Sequence, residues 1–300
     1  MKSFKKQNAG TIQLDEHDSL KRRFVGDIHF GEPGSEEEAF QKLMDEAKRE
    51  NRKVILMGDL ITAITTKDKR HEVDVHDKTF SEQQDFLHET FEKYGDIIEL
   101  VLKGNHEEKL IKKQGDFLEK MSERYDINYG GYCVNILYEK HIEDEHKEQI
   151  TPTFTAYYNH GSKSFNYRAG EEKRKETNKQ IRLKDVLGNG IEADLYVQGH
   201  AHEGIMYTDP FKMKLVNKGE GKYEEEYIQT GEGKVYVCIP SLYRAHKGES
   251  YASRKGLKPT EIGCVDLEWE DNLDLKDVKL NVFNNEEVIT TDSYAKRKVR

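Results

Sequence analysis

Three hundred residues with a net charge of −9, 35% of them apolar and 35% charged, can build one large α/β domain or two smaller ones. No run approaches the ~18 apolar residues of a membrane span, and the N-terminal MKSFKKQNAG lacks a secretory apolar stretch, so the expectation is a cytoplasmic protein without membrane contact. The acidic balance excludes a protein that coats nucleic acid by bulk electrostatics, but not one whose bound cations set the field at a site.

In chain order, residues 1–20 read as an N-terminal extension to a single domain spanning 21–285. The first strand expected is RRFVGDIHFG, then a helix opening at Ser35 with Glu38 three residues on, a capping box, and Phe40, Leu43, Met44 and Ala47 at helical spacing. KVILMGDLI is the next strand, and a second helix begins at Ser81 with Phe86, Leu87, Phe91 and Tyr94 on one face. IELVLKGNHE, TFTAYYNHG, ADLYVQGHAH and KVYVCIPSLYR follow as apolar, β-branched runs bounded by Gly or Pro. Strand–helix alternation implies βαβ units, and the strand-rich stretch from Gly130 onward implies a second, mixed sheet. Residues near 62–80 and 208–233 read as irregular insertions over the strand ends, 286–300 as a basic C-terminal tail, and its last segment from Tyr294 as one that frays. Cys133, Cys238 and Cys264 are scattered, which suits reduced thiols more than a disulfide framework.

Five of those strands end in a Gly or Asn followed by Asp, His or Asn. In α/β sheets ligands bind outside the carboxyl ends of strands, so these residues should meet: Asp27, His29, Asp59, Asn105, His106, His160, His200 and His202. The mixed nitrogen and oxygen set suits Mn²⁺ first, with Fe, Zn²⁺ and Ni²⁺ also compatible, and the lack of Cys argues against a structural zinc site. One ion needs about four such groups, so eight suggest two divalent metal ions sharing a carboxylate. Gly26, Gly58, Gly104 and Gly199 precede these residues, where a missing Cβ eases a tight turn.

GDIH, GD, GNHE, NHG and GHAH, in this order from Arg22 to Glu203, resemble the calcineurin-like metallophosphoesterase superfamily. The resemblance implies a four-layer α/β/β/α fold, two mixed β-sheets packed as a sandwich flanked by helices. It implies one metal on Asp27, His29 and His202, a second on Asn105, His160 and His200, and Asp59 bridging both. His106 matches the family's non-ligand histidine facing the scissile phosphate, which makes Asp59 and His106 the catalytic pair. The implied reaction is phosphodiester hydrolysis by a hydroxide held between the ions.

Departures narrow the substrate. Protein serine/threonine phosphatases of this superfamily read GDxVDRG and RGNHE, whereas this chain has Thr62, Ala63 and Lys103 at the corresponding positions, which argues against a phosphoprotein phosphatase. GGYCV, YYNHG and SYASRKGLKPTEIG are similar to phage-type phosphoesterases labelled DNA-repair-like nucleases. Between Lys163 and Lys184 lie eight basic residues against three acids, a pattern that reads either as a solvated helix face or as a track for a phosphodiester backbone. Lys163 and Arg168 there, with Arg244 and His246 after the last Gly- or Pro-bounded strand, are the candidate substrate contacts. The expected function is thus a metal-dependent nuclease acting on DNA. Alternatives are a phosphoesterase for small molecules or cyclic nucleotides, and a non-catalytic metal-binding scaffold.

Overall fold

A computed structural model of the protein describes residue 4 and residues 8–64, 78–143, 149–162, 171–188, 190–208, 211–219, 222–229, 233–247, 251–256, 258–284 and 287–295. Along the chain run β1 (Ala9–Leu14), β2 (Lys21–Val25), α1 (Glu37–Arg49), β3 (Lys53–Leu56), α2 (Phe80–Tyr94), β4 (Ile98–Leu102), α3 (Asn105–Gln114) and α4 (Phe117–Arg124). Then come β5 (Asn128–Gly131), β6 (Cys133–Lys140), β7 (Ile142–Glu143), β8 (Gln149–Ile150), β9 (Thr153–Asn159), α5 (Glu172–Leu187), β10 (Leu195–Gln198) and β11 (Ile205–Thr208). The chain continues with β12 (Phe211–Gly219), β13 (Lys222–Gln229), β14 (Val235–Cys238), α6 (Tyr251–Lys255), β15 (Gly263–Trp269), β16 (Leu275–Asn284) and β17 (Glu287–Ala295).

Two sheets result. The first has the order β17-β16-β15-β2-β3-β4-β5, and the second β1-β6-β9-β10-β14-β11. Each has a block of parallel strands, β2 to β5 reaching one edge of the first and β9, β10 and β14 inside the second, with antiparallel strands beside it. Parallel strands covered on both faces read as unbroken apolar runs, which is why VILM and LYV show no alternation. Their side chains still alternate in direction. Phe24, Ile55 and Leu100 join Val134, Ile136, Tyr158, Val197 and Val237 in a core between the sheets. Val25, Leu56 and Val101 turn the other way, to Phe40, Leu43, Leu87 and Phe91 of α1 and α2. On the far face of the second sheet, Leu183 and Leu187 of α5 pack on Tyr196 and Tyr236. The layers are therefore helix, sheet, sheet, helix, a mixed α/β sandwich of the class expected from the motifs.

Several expectations need correction. Residues 1–20 are not an appendage: β1 pairs in parallel with β6 as an edge strand, and Phe4 is buried in the inter-sheet core. Within 208–233 the described residues are not irregular, because β12 and β13 pair as an antiparallel ribbon. Not all of the tail lies outside the domain, since Glu287–Ala295 forms β17 against β16. The strands after Gly130 do not all join the second sheet, because β15, β16 and β17 extend the first. Ser35 does not cap α1; its N–H donates to Glu32 and it bridges Tyr243, so the helix starts two residues later without a side-chain cap. Thr79 caps α2 in a box with Glu82, ahead of the expected Ser81. Of the region near 62–80, residues 65–77 lie outside the described residues.

The strand RRFV buries two arginines, and each is balanced. Arg22 lies between the sheets on Asp18 and Glu99, with its guanidinium over the Trp269 ring. Arg23 faces the helices and forms a two-pronged pair with Asp266, Nε to Oδ1 at 2.7 Å and Nη2 to Oδ2 at 2.9 Å. Removing one partner of a buried pair leaves an uncompensated charge. Asp266→Ala should therefore cost about 3 kcal/mol in urea unfolding; a loss near zero would show that Glu46 and Glu50 suffice for Arg23.

Candidate metal centre

The parallel strands of both sheets deliver their carboxyl ends to one edge of the sandwich. Backbone hydrogen bonds lace the loops there: Asp27 N–H donates to Gly58, His29 N–H to Asp59, Leu242 N–H to Asp27, and Gly199 N–H to Asn159. Asp27 and His29 follow β2, Asp59 follows β3, and Asn105 and His106 open α3 after β4. His160 follows β9, and His200 and His202 follow β10.

Their side chains gather as two groups. Asp27, His29 and His202 form one, and Asp59, His160 and His200 the other, with the potential ligand atoms of each within 4.8 Å of one another. Asn105 joins the second, its Oδ1 3.3 Å from His160 Nε2. Asp59 stands between the groups: its Oδ2 is 3.3 Å from His160 Nε2 and 3.9 Å from His29 Nε2. His29, Asp59 and His106 also fall within 4.8 Å, so geometry alone leaves His106 in reach of a metal.

Each carboxylate is anchored by one oxygen and presents the other. Asp59 Oδ1 accepts from His106 N–H and Asp27 Oδ2 from His200 N–H, both at 2.8 Å. Asp27 Oδ1 is fully buried, accepts no hydrogen bond, and lies 3.3 Å from His202 Nε2. His29 and His202 bring their Nε2 atoms to 3.2 Å, an arrangement that needs a shared proton or a shared cation. On the other side, His160 Nδ1 donates to Met57 O at 2.8 Å, which turns Nε2 inward as metal-binding histidines require.

Charge states follow from burial and neighbours. Burial opposes ionisation of Asp27, but His202 beside it holds the carboxyl below its ordinary range. Burial opposes Asp59 too, and His160 and His106 more than offset it, holding the carboxyl well below that range. Burial, reinforced by His106, keeps His29 neutral, and burial with His160 lowers His200. Burial disfavours the His160 imidazolium, yet Asp59 raises its pKa to about 9. A pocket with two ionised carboxylates and a neutral His29 favours cations, which would take the place of the proton on His160, and the buried Asp27 Oδ1 has no hydrogen-bond partner. The residues fit bound metal ions.

The backbone is unusual at these positions. Asp27, His29, Asp59, His200 and His202 all take positive φ, between 48° and 67°. That is the left-handed region, which L-residues other than Gly, Asn and Asp visit at a cost. The glycines contribute differently from expectation. Of the four preceding glycines only Gly58 has a positive φ, at 91°. Gly104 is needed for space, since a Cβ there would overlap Asp59 Oδ1 and the Asp59 backbone nitrogen.

Residue type and spacing do not reveal Glu107. Buried within GNHE, its carboxylate accepts from the N–H groups of Asp59, Leu60, Ile61 and Gly104 at 2.8–3.2 Å, clamping the loop after β3 to the start of α3. Burial and the nearby Asp59 push its pKa up to about 7. Its position as the fourth residue of GNHE, third in α3, was the available signal, because that site reaches back to free N–H groups. Tyr243 was likewise missed; its ring contacts those of His29 and His202 at centroid distances of 5.1 and 6.0 Å.

The departures noted in the sequence also find their places. Thr62 offers no carboxylate to His106, but its backbone carbonyl lies 2.7 Å from His106 Nδ1 and its hydroxyl donates to His29 O. Lys103 points away into ion pairs with Glu108 and Asp116. Among the candidate substrate contacts, Lys163 and Arg168 lie outside the described residues, while Arg244 and His246 are exposed beyond Tyr243. Among the described residues no helix is long and apolar enough to cross a membrane.

No protein-family model matches the chain, and no curated protein does. Among solved structures, the chain is similar to Vps29 of Chaetomium thermophilum, with 10% identity over 93% of this chain and 98% of that one, at a TM-score of 0.39. It is similar also to GAP50, the anchor in the inner membrane complex of Plasmodium, with 11% identity over 92% of this chain and 88% of that one, at a TM-score of 0.39. Superpositions this loose say nothing of chemistry, which rests on the site itself.

Proposed function

We propose that the protein is a binuclear metal-dependent phosphoesterase of the calcineurin-like superfamily, cleaving phosphodiester bonds in nucleic acid. The observation that carries the reading is the Asp59 carboxylate, anchored through Oδ1 and turned with Oδ2 toward ligands of both groups. Asp27, His29 and His202 would hold one ion, Asn105, His160 and His200 the other, and Asp59 both. Bound there, two divalent cations supply an acidified water as nucleophile and a clamp on the phosphoryl oxygens. Mn²⁺ is the first candidate, ahead of Fe, Zn²⁺ and Ni²⁺.

The chain's own residues orient the rest. The Thr62 carbonyl fixes the His106 ring through Nδ1, and the His29 ring stands edge-on to it at 4.6 Å. His106 Nε2 is then the nitrogen left to meet the leaving oxygen, and the imidazolium form can hand it the Nε2 proton while Nδ1–H stays on the Thr62 carbonyl. Tyr243, edge-on to the His29 and His202 rings, covers one side of the first group. A nucleic-acid substrate draws support from the phage-type sequence similarity and from the exposed Lys173, Arg174 and Arg182 on α5. That helix also reaches the centre, with Lys179 Nζ 3.8 Å from Glu203, the residue after His202. Lys163 and Arg168 precede it in sequence and belong to the same proposal.

Hydrolysis of bis-p-nitrophenyl phosphate and p-nitrophenyl phosphate, with single-stranded DNA, RNA and cyclic nucleotides alongside, tests this in Mn²⁺. Diester turnover is expected. Preference for the monoester would overturn the nuclease reading, and no turnover of any substrate would favour a metal-binding scaffold. His106→Ala should lower the rate about 10²–10⁴-fold with metal content unchanged; loss of metal would make His106 a ligand instead.

A further inference from the structure

On the flank of the first ligand group, the chain builds a small charged cluster that the reaction as described does not use. Leu242 N–H is bonded to Asp27 O, Glu36 N–H to Leu242 O, and Arg244 N–H to Gly34 O, so segments 34–36 and 242–244 are zipped together beside the centre. Tyr243 points inward onto His29 and His202. Arg244, next in the chain, points outward. Its Nε lies 3.0 Å from Glu36 Oε1, and Lys247 Nζ lies 3.1 Å from the same oxygen. Both cations are about half exposed, at 49% and 51% of the side chain, whereas Glu36 is 17% exposed.

Two cations thus converge on one oxygen of one carboxylate. The cluster carries excess positive charge, and its cations are already spaced to grip a single small anion. An exposed carboxylate pairing is weak, because water screens it. A phosphate brings more oxygens and charge than Glu36, and it accepts from a guanidinium through two parallel bonds. Exchanging Glu36 for phosphate is therefore favourable, and it needs only the rotation of exposed side chains.

We propose that Arg244 and Lys247 form an anion subsite that holds the phosphate neighbouring the scissile one on a nucleic-acid strand, with Glu36 occupying it between encounters. This rests on the phosphodiesterase reading and deepens it, since the subsite selects substrates that carry a second phosphate. Glu36 keeps the two cations poised and blocks stray anions.

Fluorescence anisotropy of a labelled oligothymidylate tests the subsite in EDTA, where side chains alone hold the strand and turnover cannot intrude. Arg244→Ala combined with Lys247→Ala should weaken binding 10-fold or more and reduce the salt slope by about 0.7 per cation lost. Glu36→Gln should tighten binding several-fold, because the competitor loses its charge. An oligothymidylate with a neutral methylphosphonate backbone should bind all three proteins alike. Equal binding of wild type and double variant, or weaker binding by Glu36→Gln, overturns the subsite. Circular dichroism of each variant excludes unfolding as the cause, and Arg244→Gln repeats the test with a milder change. Failure of the hydrolase reading would show separately, as absence of wild-type diester turnover in Mn²⁺.

Discussion

Asp59→Asn is expected to abolish metal-dependent hydrolysis and to remove most of the thermal stabilisation that Mn²⁺ gives the wild-type protein. The substitution keeps the shape of the side chain and the acceptor for His106 N–H, so the loop after β3 should hold. What changes is the oxygen turned toward His160 and His29, where an amide offers no charge to either ion. Outer contacts to a metal ligand typically cost 10–100-fold in affinity when removed, and losing a shared ligand should exceed about 100-fold. Since binding to the folded state stabilises by RT ln(1 + [L]/Kd), wild type should gain about 2.7 kcal/mol at 100 times its Kd, and the variant almost nothing. Thermal melts with and without Mn²⁺, beside metal analysis, provide the check. Equal Mn²⁺ stabilisation in the two proteins would show that Asp59 is not shared between ions.

Gly104→Ala should damage both fold and centre, and for a steric reason. The added methyl would land on Asp59 Oδ1 and the Asp59 backbone nitrogen, neither of which can swing aside. Relief requires moving either the loop after β3 or the start of α3, and Glu107 clamps these two together through four backbone donors. Overpacking of a rigid site costs about 3 kcal/mol, and the displaced Asn105 and Asp59 should lower metal content as well. Urea unfolding and metal analysis would reveal this; a variant with wild-type stability and metal would mean that the junction is far softer than its hydrogen bonding indicates.

The strand ends are legible in the sequence because both sheets have parallel strands covered on both faces. Such strands must be apolar throughout, and the abrupt polar residues after Val25, Met57, Leu102, Asn159 and Gln198 stand out against them. His200 and His202 are harder. Spacing places them on one loop, whereas their opposite destinations depend on two left-handed residues flanking Ala201. Glu107 was readable only from its place at the third position of α3, because its partners are backbone N–H groups, which carry no residue-type signature. β1 was overlooked for another reason: AGTIQL is short and mixed, and its partner Asn135–Lys140 lies more than a hundred residues away. The ribbon of β12 and β13 had a readable signal in the alternation of FKMKL and the turn-forming GEG, but its high charge suggested a loop.

The five left-handed residues around the centre bear on how such a sequence can change over time. The three histidines among them each cost about 1 kcal/mol relative to glycine at the same φ, so together they draw on a stability reserve of only ~5–15 kcal/mol. Random drift rewards relief of such strain, because most chains lie close to the threshold below which they unfold. A lineage released from chemistry would therefore gain by trading Asp27, His29, Asp59, His200 or His202 for glycine or asparagine. This chain has kept a carboxylate or an imidazole at all five. The most stable sequence for this backbone and the one it possesses are different sequences, and the difference between them is the metal site.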